Sequence, residues 1–261
     1  SSSAKSVVIM DCSNKSCEKA DWKTQTCSSS SLANEGKVFI RQLGTSGEDI
    51  SSDITLDNSG NIYLTGYTDG AFDGNSNKGK EDFFLIKYSA NGEKIWTRQH
   101  GSNSSDWARG IAIDASDNII LTGGTTGKLI GSKNLGSYDI FLVKYDSNGS
   151  IQWTQQIGTS TVDDGHAVTT DSSDNIYITG RTWGGLDGSN KPNVCKNVTT
   201  VAGKVCSDIF LAKFDSSGQE QWTKQILSSS KEISNGIVVD SLGNIYITGF
   251  TSGAIEGANT G

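Results

Sequence analysis

Apolar and polar positions along this chain fall into short runs that repeat. Ile62-Tyr-Leu-Thr-Gly66, Ile119-Ile-Leu-Thr-Gly123, Ile176-Tyr-Ile-Thr-Gly180 and Ile245-Tyr-Ile-Thr-Gly249 are nearly one phrase. Each follows a polar Asp-x-x-x-Asn segment: Asp57 to Asn61, Asp114 to Asn118, Asp171 to Asn175 and Asp240 to Asn244. The first three Asn are 57 residues apart and the fourth follows after 69. A fixed spacing of about 50 residues marks a repeat architecture. In the second unit, residues 107–114 alternate, 119–125 are apolar, 139–146 are apolar again, and 151–157 carry Trp153. Tight turns separate them, except for a looser stretch over 126–138. Four strands of seven or eight residues in this order predict an antiparallel meander.

The turns and strands carry further expectations. Gly60, Asp117, Asp174 and Gly243 hold one turn position, and Gly92, Gly149 and Gly218 another. Gly and Asp tolerate the left-handed backbone that a bulged hairpin loop needs. The leading Asp of the phrase is expected to accept a hydrogen bond from the backbone two residues on. An EF-hand order of ligands is not met, so these turns read as backbone geometry, not calcium loops. Phe83, Phe84, Leu85 and Ile86 leave little alternation, nor do Ile140, Phe141, Leu142 and Val143. Strands apolar on both sides need cover on both faces, so the units must stack. Trp96, Trp153 and Trp222 recur on the fourth strand and read as packing between units. Lys87, Lys144 and Lys213 recur in the third strand. They are expected to pair with Asp82, Asp139 and Asp208, or with Asp49, Asp106 and Asp163.

Four-stranded units stacked about an axis are propeller blades. The expected fold is all-β, a β-propeller of four-stranded antiparallel blades. It is four-bladed if the chain is complete and otherwise part of a larger propeller. Residues 1–36 form a Ser- and Cys-containing extension and 37–261 the repeats. Residues 37–43 match a fourth strand, with Phe39 in the Trp position, and the last unit supplies only two strands. Three completions fit: Val7-Val-Ile-Met10 supplies the closing strand, the chain belongs to a larger propeller, or another chain adds a strand. The pattern Asp-x-Ser-Gly-Asn-Ile-Tyr-x-Thr-Gly, then Asp-Ile-Phe-Leu-x-Lys-Tyr-Asp, then Gly-x3-Trp resembles the bacterial SBBP β-propeller repeat over residues 37–261. That resemblance implies a secreted or surface-exposed bacterial protein, sometimes a lipoprotein, with no catalytic residues assigned to the repeat.

Composition narrows the partners. The formal charge of −7 makes nucleic acid and anionic membrane surfaces poor partners. No apolar run is long enough to span a membrane as a helix. Five Cys without a CxxC spacing, and only His100 and His166, give no zinc pattern, and no metal or cofactor is expected. Cys195 and Cys206 both lie inside the one insertion and are expected to form a disulfide, which points to an oxidising compartment. Cys12, Cys17 and Cys27 then leave one thiol over. The chain starts Ser1-Ser-Ser, so a signal or a lipid-bearing Cys upstream is compatible with an outer-surface location.

Residues that break the repeat are the candidates for function. Trp107 stands where other units have Ile50, Asp164 and Ile233. Trp183 stands where they have Asp69, Thr126 and Ser252. His166 aligns with Ser52, Arg109 and Asn235. The connection between Gly188 and Asp208 is about twelve residues longer than its counterparts. In an up-and-down blade these positions emerge on one face, together with Asp106, Asp163 and Asp164. Exposed Trp beside acids suits a protein, peptide or glycan ligand. The expected function is a non-enzymatic secreted or surface-exposed binding or assembly module. One alternative is a carbohydrate-active hydrolase or lyase using Asp106, Asp163 and Asp164. Another is a structural subunit self-associating through an incomplete blade. No nucleophile, base and acid form a recognisable catalytic set.

Overall fold

The computed structural model describes residues 7–10, 40–129, 131–188, 206–226 and 231–252. Among these, all regular structure is β. Three four-stranded antiparallel sheets follow in chain order. The first holds β3 (Asp49–Leu56), β4 (Ile62–Thr68), β5 (Asp82–Tyr88) and β6 (Lys94–His100). The second holds β7 (Asp106–Ile113), β8 (Ile119–Thr125), β9 (Asp139–Tyr145) and β10 (Ile151–Ile157). The third holds β11 (Asp163–Thr170), β12 (Ile176–Thr182), β13 (Asp208–Phe214) and β14 (Glu220–Ile226). These are β-propeller blades, and their strands fall within a residue of the sequence expectation. Two further sheets have two strands each. One is β15 (Glu232–Val239) with β16 (Ile245–Thr251), the other β1 (Val7–Met10) with β2 (Ile40–Leu43). Val7 faces Leu43 and Met10 faces Ile40, while β15 and β16 form a separate sheet to which β1 is not paired.

The first strands β3, β7, β11 and β15 pack on one another in order and form the inner layer. The core lies between blades. Successive residues of a strand point to opposite faces, so one strand serves two interfaces. Phe83 and Leu85 join Ala108, Leu121, Phe141 and Val143 of the second blade, and Phe83 stacks on Phe141 with ring centroids 4.7 Å apart. Phe84 and Ile86 face the other way, onto Leu64 and Phe72. The second and third blades repeat the arrangement through Ile140, Leu142, Ile178 and Phe210. Each such fully buried side chain contributes about 1.5–3 kcal/mol. β16 (IYITGFT) differs from the buried β4 (IYLTGYT) and β12 (IYITGRT) at only one or two positions, yet Tyr246 and Phe250 stay about half exposed.

The turn chemistry matches expectation. Gly60, Asp117, Asp174 and Gly243 all have positive φ, as do Gly92, Gly149 and Gly218. Asp57, Asp114, Asp171 and Asp240 each accept the N–H two residues on, at 2.9–3.0 Å. Lys87 and Lys144 correct the expected pairing. They meet the turn acids Asp57 (3.8 Å) and Asp114 (2.7 Å) of their own blades. Their expected acid partners are engaged elsewhere. Asp82, Asp139 and Asp208 accept the side-chain amides of Gln99, Gln156 and Gln225. Trp153 bears out its role between units: its indole N–H donates to the Ser216 carbonyl of the next blade at 3.3 Å.

The insertion over 189–205, with Cys195, lies outside the described residues, as do Cys12, Cys17 and Cys27. Cys206 is buried just ahead of β13. No helix among the described residues is long and apolar enough to cross a membrane.

Candidate functional site

Every inner strand breaks its register at the same place. The breaks fall between Ser51 and Asp53, Ala108 and Gly110, Gly165 and Ala167, and Ser234 and Gly236. Each is a β-bulge that leaves one residue unpaired and re-aims its side chain. Those residues are Ser52, Arg109, His166 and Asn235. The repeated Thr-Gly explains how the bulge is tolerated. A Cβ on Gly66, Gly123, Gly180 or Gly249 would lie 1.9–2.1 Å from a carbonyl oxygen of the adjoining inner strand. The glycine that follows each strand Thr is therefore the seat of the bulge.

Asp164 sits at the centre of the polar cluster this creates. It is fully buried in β11. Its Oδ1 accepts Arg109 Nε at 2.9 Å from the neighbouring blade. Its Oδ2 faces His166 Nε2 at 3.0 Å and accepts Arg181 Nη2 at 3.2 Å. His166 Nδ1 lies 3.3 Å from Asn235 Oδ1, on the next inner strand. Burial alone would raise the Asp164 pKa. The His166 hydrogen bond and the charges of Arg109, His166 and Arg181 outweigh it, and the carboxyl is held below its ordinary range.

An aromatic shelf adjoins this cluster. Arg109 Nη2 donates to the Tyr138 hydroxyl at 3.2 Å. The Tyr138 ring stacks on Trp107 at 5.3 Å and 18° between planes. Trp107 also meets the Tyr67 ring of the first blade edge-on at 6.4 Å. Gly124, opposite Trp107 in the ladder, makes room for the stack, since a Cβ there would lie 2.0 Å from the Tyr138 ring.

Of the six ligand candidates, the structure joins Trp107, Asp164 and His166 through these contacts. Asp106 and Asp163 are fully buried and hold the frame. Asp163 accepts Thr159 N–H (2.6 Å), Thr159 Oγ1 (2.8 Å) and the Thr182 hydroxyl. Asp106 accepts Ser102 N–H (2.6 Å), Ser102 Oγ (2.9 Å) and the Thr125 hydroxyl. Asp49 does the same in the first blade with Thr45 and Thr68. Burial pushes the pKa values of Asp106 and Asp163 up despite these donors. Trp183 is half-buried on the connection after β12, its N–H bonded to the Val162 carbonyl at 2.9 Å.

Arg109, Arg181, Tyr138 and Asn235 were not singled out from the sequence. A signal existed for three of them. Arg109 and Asn235 share the alignment column of His166. Arg181 is the charged member of a column otherwise holding Tyr67, Gly124 and Phe250. Tyr138 aligns with Glu81, in a connection outside the periodic strands.

Comparison with known proteins agrees with the blade pattern. The SBBP β-propeller repeat matches residues 38–73, 152–187 and 221–255. An uncharacterized WD repeat-containing protein, L264 of Acanthamoeba polyphaga mimivirus, is 29% identical over 167 residues, 55% of this chain and 12% of that protein. The regulatory protein FlaEY of Caulobacter vibrioides is 26% identical over 169 residues, 59% of this chain and 18% of that one. The chain thus spans less than a fifth of either relative's length. Among solved structures, a Bacteroides caccae protein of unknown function is 8% identical, with a TM-score of 0.43, over 81% of this chain and 57% of its own. A Xanthomonas campestris gluconolactonase, XC5397, is 13% identical with a TM-score of 0.40, over 76% and 54%.

Proposed function

We propose that this chain, which carries SBBP β-propeller repeats, is a non-enzymatic recognition or assembly module working outside the cell or on a bacterial outer surface. One observation carries the reading. Side chains that break the repeat converge at the second and third blades, from β7, β11, β12 and the β8–β9 connection, as the Trp107–Tyr138 shelf beside Arg109, Asp164, His166 and Arg181. Residues that follow the repeat build the frame.

The acids that a hydrolase would need support the same reading. Asp106 and Asp163 are occupied by hydroxyl and backbone donors, and Asp164 by two guanidinium groups and an imidazole. We also propose a Cys195–Cys206 disulfide anchoring the insertion beside this face. The burial of Cys206 at the start of β13 supports it.

A protein, peptide and glycan array tests the module. Trp107→Ala is expected to weaken capture of a ligand at least tenfold while the circular dichroism of the blades is kept. Capture indifferent to both Trp107→Ala and Trp183→Ala would remove this face from consideration. Mass spectrometry of the alkylated chain, with and without reductant, checks the disulfide.

A further inference from the structure

We infer that the guanidinium groups of Arg109 and Arg181, beside the Trp107–Tyr138 shelf, bind the carboxylate of an acidic peptide segment on a protein partner. This rests on the recognition reading and names its ligand chemistry.

The cluster has a cationic surplus. Two guanidinium groups surround the single Asp164 carboxylate. Arg109 is about one-third exposed and Arg181 about one-quarter, whereas Asp164 is sealed from solvent. An incoming group therefore meets the arginines and not the acid. Asp163, next in sequence, points to the opposite face of β11 and is engaged by Thr159 and Thr182.

The donors are also unspent. Arg109 uses Nε on Asp164 and Nη2 on Tyr138. Arg181 uses Nη2, and its Nε is buried without any hydrogen-bond partner. Guanidinium groups present planar forks that match a carboxylate in two-point contact. Asp164 holds both forks in place before any ligand arrives, so little is lost in ordering them.

The surroundings favour a peptide. The bulge residues Ser52 and Asn235 are exposed on the same ring of positions and offer hydrogen-bonding groups suited to backbone amides. Tyr138 covers one face of Trp107 and Tyr67 abuts it edge-on. An anionic segment also finds here a local cationic spot on a chain of net charge −7, which fixes where on the surface it docks.

The test uses the chain as described and a blocked peptide, acetyl-Gly-Glu-Glu-Tyr-Gly-amide, with its Gln-Gln counterpart. Isothermal calorimetry at low salt is expected to give binding at least tenfold tighter for the Glu peptide, weakening as salt rises. Arg181→Gln should remove most of that preference for the Glu peptide. The two changes together should then cost less than their sum. Arg109→Lys, which keeps charge but not the fork, should fall between. Folding of each variant is checked by near-ultraviolet circular dichroism.

Equal binding of both peptides, with Trp107→Ala still weakening them, overturns the carboxylate assignment and leaves the recognition reading standing. An oligogalacturonate that binds with the same Arg181 dependence while the Glu peptide does not overturns the peptide assignment. No Trp107-dependent binding to any probe overturns both.

Discussion

Asp117 and Asp174 show how one residue is fitted to two tasks. Both have φ of 60°, a conformation that costs a non-glycine residue about 1–2 kcal/mol. Their carboxylates reach the turn of the preceding blade. Asp174 accepts Ala115 N–H at 2.8 Å and Ser116 Oγ at 3.3 Å, and Asp117 accepts Asn58 Nδ2 at 3.1 Å. Asp174→Ala is expected to lose the bonds while keeping the strain, for a cost of about 1–2 kcal/mol in urea unfolding. Asp174→Gly should cost roughly half as much, because it relieves the backbone. If alanine and glycine variants unfold at the same urea concentration, the left-handed strain has been misjudged. From sequence, Gly and Asp at this position looked equivalent, because both tolerate the turn. The carboxylate's second task depends on a turn 59 residues away, which no local pattern records.

At the level of the strand, the bulge is the informative device. The Thr-Gly that ends each apolar run was plain in the sequence, but its meaning required the inner strand beside it. The strand ends also place His100, the last residue of β6, between two blades. Its ring lies 6.2 Å from Phe83 and 5.7 Å from Tyr145, and its Nε2 has no hydrogen-bond partner. Burial first, then the charges of Lys78 and Arg98, lower its pKa to about 4. An unfolded histidine titrates near 6.5. Between these values the unfolded chain binds a proton that the folded chain refuses, so stability falls as pH drops from about 6.5 to about 4. It levels off below that. The loss attached to this one side chain is on the order of 3 kcal/mol. His100→Phe should flatten that part of the stability curve, measured by urea unfolding from pH 7 to pH 4. An unchanged slope would mean that the carboxylates, not His100, govern acid sensitivity.

Among the described residues, the main contacts between blades run from each blade to the next in chain order. The all-β, four-stranded plan was legible because the same compromise between polar turn and apolar strand was written repeatedly. The site was half legible. Trp107, Asp164 and His166 stood out as exceptions, but Arg109 reaches Asp164 across 55 residues and Tyr138 comes from a connection outside the periodic strands. Contact from each blade to the next has a measurable outcome. Phe141→Ala removes a fully buried ring at the interface of the first and second blades and should cost about 3–5 kcal/mol. Hydrogen exchange should then quicken in β4, β5, β8 and β9 while β12 and β13 keep their protection. Uniform loss of protection through β13 would instead show one indivisible folding unit. The turn-to-turn hydrogen bonds point to a last consequence. Asn58 and Ala115 give to the unit that follows, while Asp117 and Asp174 receive from the unit before. Such a polar grammar lets a gene gain or lose a 57-residue word of the Asp117 or Asp174 kind by recombination, because that word brings its own acceptor to the donor of the unit before; the words with Gly60 or Gly243 there bring none.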